Sequence, residues 1–304
     1  MKRAFTLVEM LVVLAIIGVL IALLIPSVMS AVNSARRTAI ATEVSALASA
    51  VEQYKQKHGD YPPNFRNYPA FIRHVRKCYP KIDNAHLNTV VGYVWPGATL
   101  AAPPAAGTVP NIDEGESLVF WLYLVDNDSR YPFSAIVTAF DPATTDLAAV
   151  LNPASGKVRE KIYPFKEERL LTLDGDFMPS YRALHAKESF YLYIDSRSYL
   201  SLADFTDLTT TATSLAFAEM RTLGQTRPYW SETKASTDTT LPLMQQYKPA
   251  NPTTFQVISA GQDGDFGADA GTVKYFPGGG GYTREDRDNM TNFTEGRRLE
   301  DHVP

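Results

Sequence analysis

Glu9 is the first residue whose type and place could do chemistry. It lies inside an apolar run from Phe5 to Ile25, behind the cations Lys2 and Arg3 and ahead of Pro26. A carboxylate in hydrocarbon costs about 2.5–3.5 kcal/mol on insertion scales, so an acid kept there implies a partner. A second group of chemically capable residues lies near the end of the chain. Asp263, Asp265, Asp269, Asp286, Asp288 and Asn289 fall in a stretch punctuated by Gly261, Gly264, Gly267 and the run Gly278 to Gly281. Calcium takes about six to eight oxygen ligands, and such a stretch offers carboxylates, an amide and backbone carbonyls that glycines can turn inward. The spacing Asp263-x-Asp265-x-x-x-Asp269 begins like an EF-hand, but its twelfth position is Lys274 rather than Glu. The plain alternative is a set of solvated Asp-Gly turns.

Other chemistries find no support. His58, His74, His86, His185 and His302 are far apart and show no metal-ligand spacing, so each reads as a surface or capped residue. Cys78 is the one cysteine, which excludes internal disulfides and zinc sites that need two thiolates. It reads as a passive thiol. There is no Gly-x-Ser-x-Gly elbow, P-loop or dinucleotide fingerprint, so no enzyme is expected. The net charge is −4 and no basic cluster appears, which gives no electrostatic case for nucleic acid. Tyr191, Tyr193, Tyr229, Trp230 and Tyr247 could form a contact face but fit a core better. Asp174-Gly175-Asp176 reads as a hairpin turn.

The elements that must position these residues begin with a helix. Ile40, Val44, Leu47, Val51 and Tyr54 recur every three or four residues, the apolar stripe of an amphipathic helix, with Glu43, Glu52, Gln53 and Lys55 on its other faces. The apolar run and this stripe read as one rod from Phe5 to Lys57, about 80 Å long at 1.5 Å per residue. Pro26 removes a backbone donor within it and is expected to kink it. Gly59-Asp60-Tyr61-Pro62-Pro63 should end it. Beyond, Arg66 to Tyr79 reads as a weak helix, Leu100 to Pro110 as a loop, Ser117 to Leu124 as a helix led by Glu114 and Glu116, and Phe205 to Ser214 as a surface loop. Glu188 to Asp195 and Thr253 to Ser259 read as strands.

The residues Ala4-Phe5-Thr6-Leu7-Val8-Glu9, with a basic leader before them and the apolar run after, resemble the processing site of type IV pilins and type II secretion pseudopilins. Tyr54 to Pro62 resembles the entry of pilin helices into their heads. Ile258-Ser-Ala-Gly-x-Asp263-Gly-x-x-Gly267, with the later Asp286-x-Asp288-Asn289-x-x-Asn292-Phe293, resembles the C-terminal loop of major (G-type) pseudopilins. The resemblance implies cleavage by a prepilin peptidase between Ala4 and Phe5, N-methylation of Phe5, and pairing of Glu9 with the terminal amine of a neighbouring subunit. It implies calcium in the C-terminal loop. One departure is Ala4, where the family usually has Gly. A secretory signal peptide cut near Ser27 to Ala31, a plain signal anchor and a buried core helix are the competing readings of the segment; the first two leave Glu9 unexplained.

The implied architecture is α+β: a long N-terminal helix, membrane half plus amphipathic half, packed on a small antiparallel sheet with a large insertion. Its parts are a leader (1–4), a membrane-spanning half (5–26), an amphipathic half (27–58) and a head (59–304). The head carries an insertion at about 64–250 and the calcium-loop-like part at 253–294. The implied function is a subunit of a type II secretion pseudopilus or related filament. It would be held in the bacterial inner membrane by a single span, with its head in the periplasm. Its partners would be its own copies, the prepilin peptidase, the assembly platform and minor pseudopilins. An adhesive or DNA-uptake pilus subunit, or an envelope binding protein or enzyme sharing only the anchor, are the alternatives.

Overall fold

The computed structural model describes residues 7–105, 108, 110–139, 150–151, 158–172, 178–185, 189–199, 228–238, 246–267 and 274–304. Its first element is α1, Leu7–His58, a helix of 52 residues that runs through Pro26. It ends at Gly59, whose N–H closes on the Lys55 carbonyl at 2.7 Å, before Pro62 and Pro63. The two halves of α1 differ. From Leu7 to Val32 every large apolar side chain is exposed, whereas Ile40, Val44, Leu47, Ala50, Val51 and Tyr54 are buried in the head. The stripe at three- and four-residue spacing is the side of α1 that the head covers.

Among the described residues shorter α-helices follow, and local sequence explains the starts of the first three. α2, Tyr68–Cys78, is capped by Asn67, whose side chain accepts from the Ala70 N–H, with Pro69 in the first turn. α3, Asn84–Val94, is capped by Asp83. α4, Glu114–Val119, starts with a reciprocal capping box between Asp113 and Glu116 and continues into a π turn over Phe120–Leu124. α5 spans Ser134–Ala139. The helix expected over Ser117 to Leu124 is therefore present with Glu114 and Glu116 in its first turn. α3, between Asn84 and Val94, was not anticipated.

β1 (Leu170–Leu171) pairs antiparallel with β2 (Ser180–Tyr181). The turn residues Asp174 to Asp176 lie outside the described residues, as do Phe205 to Ser214. β3 (Leu192–Asp195), β6 (Phe255–Ser259) and β8 (Met290–Thr291) form an antiparallel sheet in the order β3-β6-β8. The sheet of β5 (Tyr247–Pro249), β4 (Trp230–Lys234) and β7 (Tyr275–Phe276) is mixed, because β4 runs parallel to β7. The fold is α+β.

The β3-β6-β8 sheet separates two cores, and the two-residue period of its strands assigns side chains to each. Tyr193, Phe255, Val257 and Met290 join the α1 stripe. Leu192, Ile194 and Ile258 face the other way, onto Tyr229, Phe266 and Leu299. Both faces are covered, which is why β3 and β6 are buried at every position. Tyr191, Tyr193, Tyr229 and Trp230 are core residues.

Candidate functional site

Glu9 sits in the exposed first turn of α1. From Glu9 to Ile40, the first buried residue of the stripe, the helix rises about 45 Å. Ala4 and Phe5 lie outside the described residues. Among the described residues α1 is the one helix long and apolar enough to cross a membrane, and its most apolar stretch is not covered by the head. Above that stretch, a groove of about 850 Å³ runs along α1. Ala31, Ala35, Thr38 and Thr42 form its floor, and Tyr163 and Leu184 of the head form a wall. The floor residues recur at helical spacing and are small, which lets another backbone approach closely.

The head is locked to the helix by a charge that lies off the apolar stripe, Glu43. Glu43 Oε1 and Oε2 accept from the two terminal nitrogens of Arg169 at 2.6 and 2.7 Å. The Tyr191 and Tyr181 hydroxyls also donate to this carboxylate, at 2.5 and 3.1 Å. The guanidinium lies over the Tyr181 ring, 4.2 Å from its centroid. The signal was partial: Glu43 falls between Ile40 and Leu47 on the helical net, beside the stripe. A bidentate pair of this kind is strong because both charges are hydrogen-bonded and shielded from water.

His74, expected to be a surface or capped residue, is fully buried. Its Nε2 is 2.8 Å from the Tyr54 hydroxyl and its Nδ1 is 3.4 Å from Asp60 Oδ2, so it ties the end of α1 to α2. The hydrogen bond from His74, together with the Arg197 charge, holds the Asp60 carboxyl down at about 2. Burial pushes the neighbouring Cys78 thiol up to about 11, so it is a passive sulfur hydrogen-bonded within this cluster.

The C-terminal acids are drawn into two separate arrangements. Asp288 Oδ2 accepts from the backbone N–H groups of Gln262 and Asp263. Asp263 Oδ1 accepts from the Asp265 N–H at 2.9 Å, and Asp265 Oδ1 from the Gly267 N–H at 2.9 Å. Burial and the nearby Asp288 and Asp265 charges raise the Asp263 carboxyl to about 6. Gly261 packs so closely that a Cβ there would collide with the Asp288 backbone. The Gln262 side chain donates to the Asn33 carbonyl at 2.9 Å, which fastens the loop to α1.

Asp286 lies apart from these turns and is buried. It forms an ion pair with the ammonium of Lys274, itself 2% exposed. The other Asp286 oxygen accepts from the Thr283 N–H at 2.8 Å and hydroxyl at 3.0 Å. The Tyr229 hydroxyl is 3.2 Å from Asp286 Oδ1 and accepts from Asn289 Nδ2 at 2.9 Å. Asp269 lies outside the described residues. Among the described residues no three carboxylates, imidazoles or thiolates cluster as a metal site would require. Among the described residues the Asp286 carboxylate holds the Lys274 ammonium, and one oxygen each of Asp263, Asp265 and Asp288 accepts from backbone N–H groups.

Residues 1–25 match the family model of the prokaryotic N-terminal methylation motif. The match supports a type IV pilin-like N-terminal segment. The motif implies processing by a prepilin peptidase, and with the apolar helix it indicates membrane anchoring. No curated protein and no solved structure matches the chain. The match ends at residue 25 and leaves the head to be read from its own residues.

Proposed function

We propose that this protein is a structural subunit of a type II secretion pseudopilus or a related type IV pilus-like filament. The observation that carries the reading is the methylation motif on a helix whose first half is apolar and uncovered. Subunits wait in the inner membrane, with their heads in the periplasm, until the assembly platform extracts them. The exposed half of α1 then packs against the same half of neighbouring copies, and Glu9 pairs with the methylated amine of Phe5 from the next subunit. A buried carboxylate is tolerable when so paired, which makes the pair a device for register. The small-residue groove along α1 supports close helix packing above the membrane-spanning half.

The experiment is replacement of Glu9 by Ala in cells that assemble the filament. The variant is expected to insert and be processed normally, yet fail to enter sheared or cross-linked filaments. Incorporation equal to the parent would overturn the pairing.

A further inference from the structure

We propose that the ammonium of Lys274 is the built-in cation of the C-terminal loop, doing there what calcium does in the pseudopilin loop this segment resembles, so that the head folds without metal. The proposal concerns the head and stands whether or not the chain assembles into filaments. Lys274 precedes β7, Asp286 follows it, and the two meet inside the smaller core beneath the β3-β6-β8 sheet. Neither is more than 2% exposed, and the contact joins their side chains directly. The Phe266 carbonyl lies 3.4 Å from the same ammonium.

The surroundings are built for this pair. The Tyr229 hydroxyl and the Thr283 N–H and hydroxyl approach the two Asp286 oxygens. Gly267, at φ +79°, passes so close that a Cβ would stand 2.5 Å from Thr283 Oγ1 and 2.7 Å from Asp286 Oδ2. Asn289 Nδ2 reaches the Tyr229 hydroxyl and, at 3.3 Å, the Phe266 carbonyl. The Asp286 carboxylate and the Phe266 carbonyl thus meet one positive charge, and Asn289 braces them through the Tyr229 hydroxyl and that carbonyl. A metal ion gathers a loop in the same manner, by drawing carboxylate and carbonyl oxygens from distant parts of the chain onto one cation. Lys274 stands at the twelfth position counted from Asp263, where an EF-hand would carry its glutamate. An ammonium there replaces the ion itself rather than one of its ligands.

The test uses the full chain in detergent. Melting of the head and resistance of the C-terminal segment to protease are followed after chelation and after addition of calcium chloride, with metal content measured by mass analysis. The same readouts are taken on Lys274→Met, which keeps the stem and removes the charge, and on Lys274→Met/Asp286→Asn, which removes both charges. The expected result is a parent protein that carries no calcium and melts at the same temperature with chelator or calcium. Lys274→Met should melt several degrees lower with a protease-sensitive C-terminal segment, and the double variant should regain part of that loss. A parent that holds calcium and melts lower on chelation overturns the proposal, whatever the variants do. So does a Lys274→Met protein as stable as the parent, or a double variant that recovers nothing.

Discussion

The two halves of α1 share one helix and differ in what covers them. Leu14 is 68% exposed, and its neighbours from Leu7 to Val32 are likewise open, while Leu47 and Val51 have no exposed surface. Both stretches present apolar faces, but only the lower one is apolar throughout. The upper half has the spacing of a one-sided helix, polar elsewhere, and the head fills that one side. The lower half is apolar all round, as a helix surrounded by lipid or by its own copies must be. The difference teaches that the head is built on the upper half, while the lower half is left uncovered, as membrane anchoring requires.

The sharpest way to break this comparison is at Glu43. Replacing it by Ala strands the Arg169 guanidinium and two tyrosine hydroxyls in a shielded site, and loss of one partner of such a pair costs about 3–5 kcal/mol. Chemical denaturation of the detergent-solubilised chain should show this loss, and an unchanged midpoint would mean that the head does not depend on the upper half for its anchor. Next come matched leucines. Leu47→Ala should destabilise the head by about 2–5 kcal/mol as a buried truncation. Leu14→Ala should leave head stability within about 0.5 kcal/mol, as expected for a residue outside the packed core. Equal effects at the two sites would erase the distinction between the halves.

A smaller effect concerns pH within the head. Burial, reinforced by the Glu114 charge, pushes the Asp113 carboxyl from 3.8 up to about 7. Between those values the folded protein keeps a proton that the unfolded chain releases. This contribution to stability is therefore fully present below pH 3.8, is lost as pH rises toward about 7, and is constant above it. Asp60 acts with the opposite sign: its carboxyl, held at about 2, contributes above 3.8 and loses that contribution as pH falls toward 2. Asp113→Asn, still able to cap α4, should flatten the decline in denaturation midpoint between pH 3.8 and about 7. A slope equal to the parent's would remove Asp113 from the explanation.

How much of this was legible in the sequence depended on whether local pattern or distant contact decided the outcome. The α1 stripe, its stop at Gly59 and the capped start of α4 follow from spacing and from residues adjacent in the chain. β3 and β6 were recognisable as strands. That they divide two cores was not, because their coverage on both faces comes from α1 and from the C-terminal segment, which lie far away in sequence. The lock at Glu43 was not visible for a related reason: its partners Arg169, Tyr181 and Tyr191 come from the middle of the chain, and no helical periodicity reports them. His74 was expected to be a surface or capped residue; that it is buried, with Tyr54 and Asp60 satisfying its ring, rests on contacts that no local pattern reports. The C-terminal acids were visible as a group, but which of them meet, and that a lysine sits among them, depended on how the loop folds back.

The measurement that tests the central claim most directly is the identity of the N-terminal peptide in protein isolated from membranes, determined by mass spectrometry. The account predicts a chain beginning at Phe5 with a methylated α-amine. A chain beginning near Ala31 would mean that the apolar segment is a removed signal peptide, and would contradict the assignment of α1 to filament assembly.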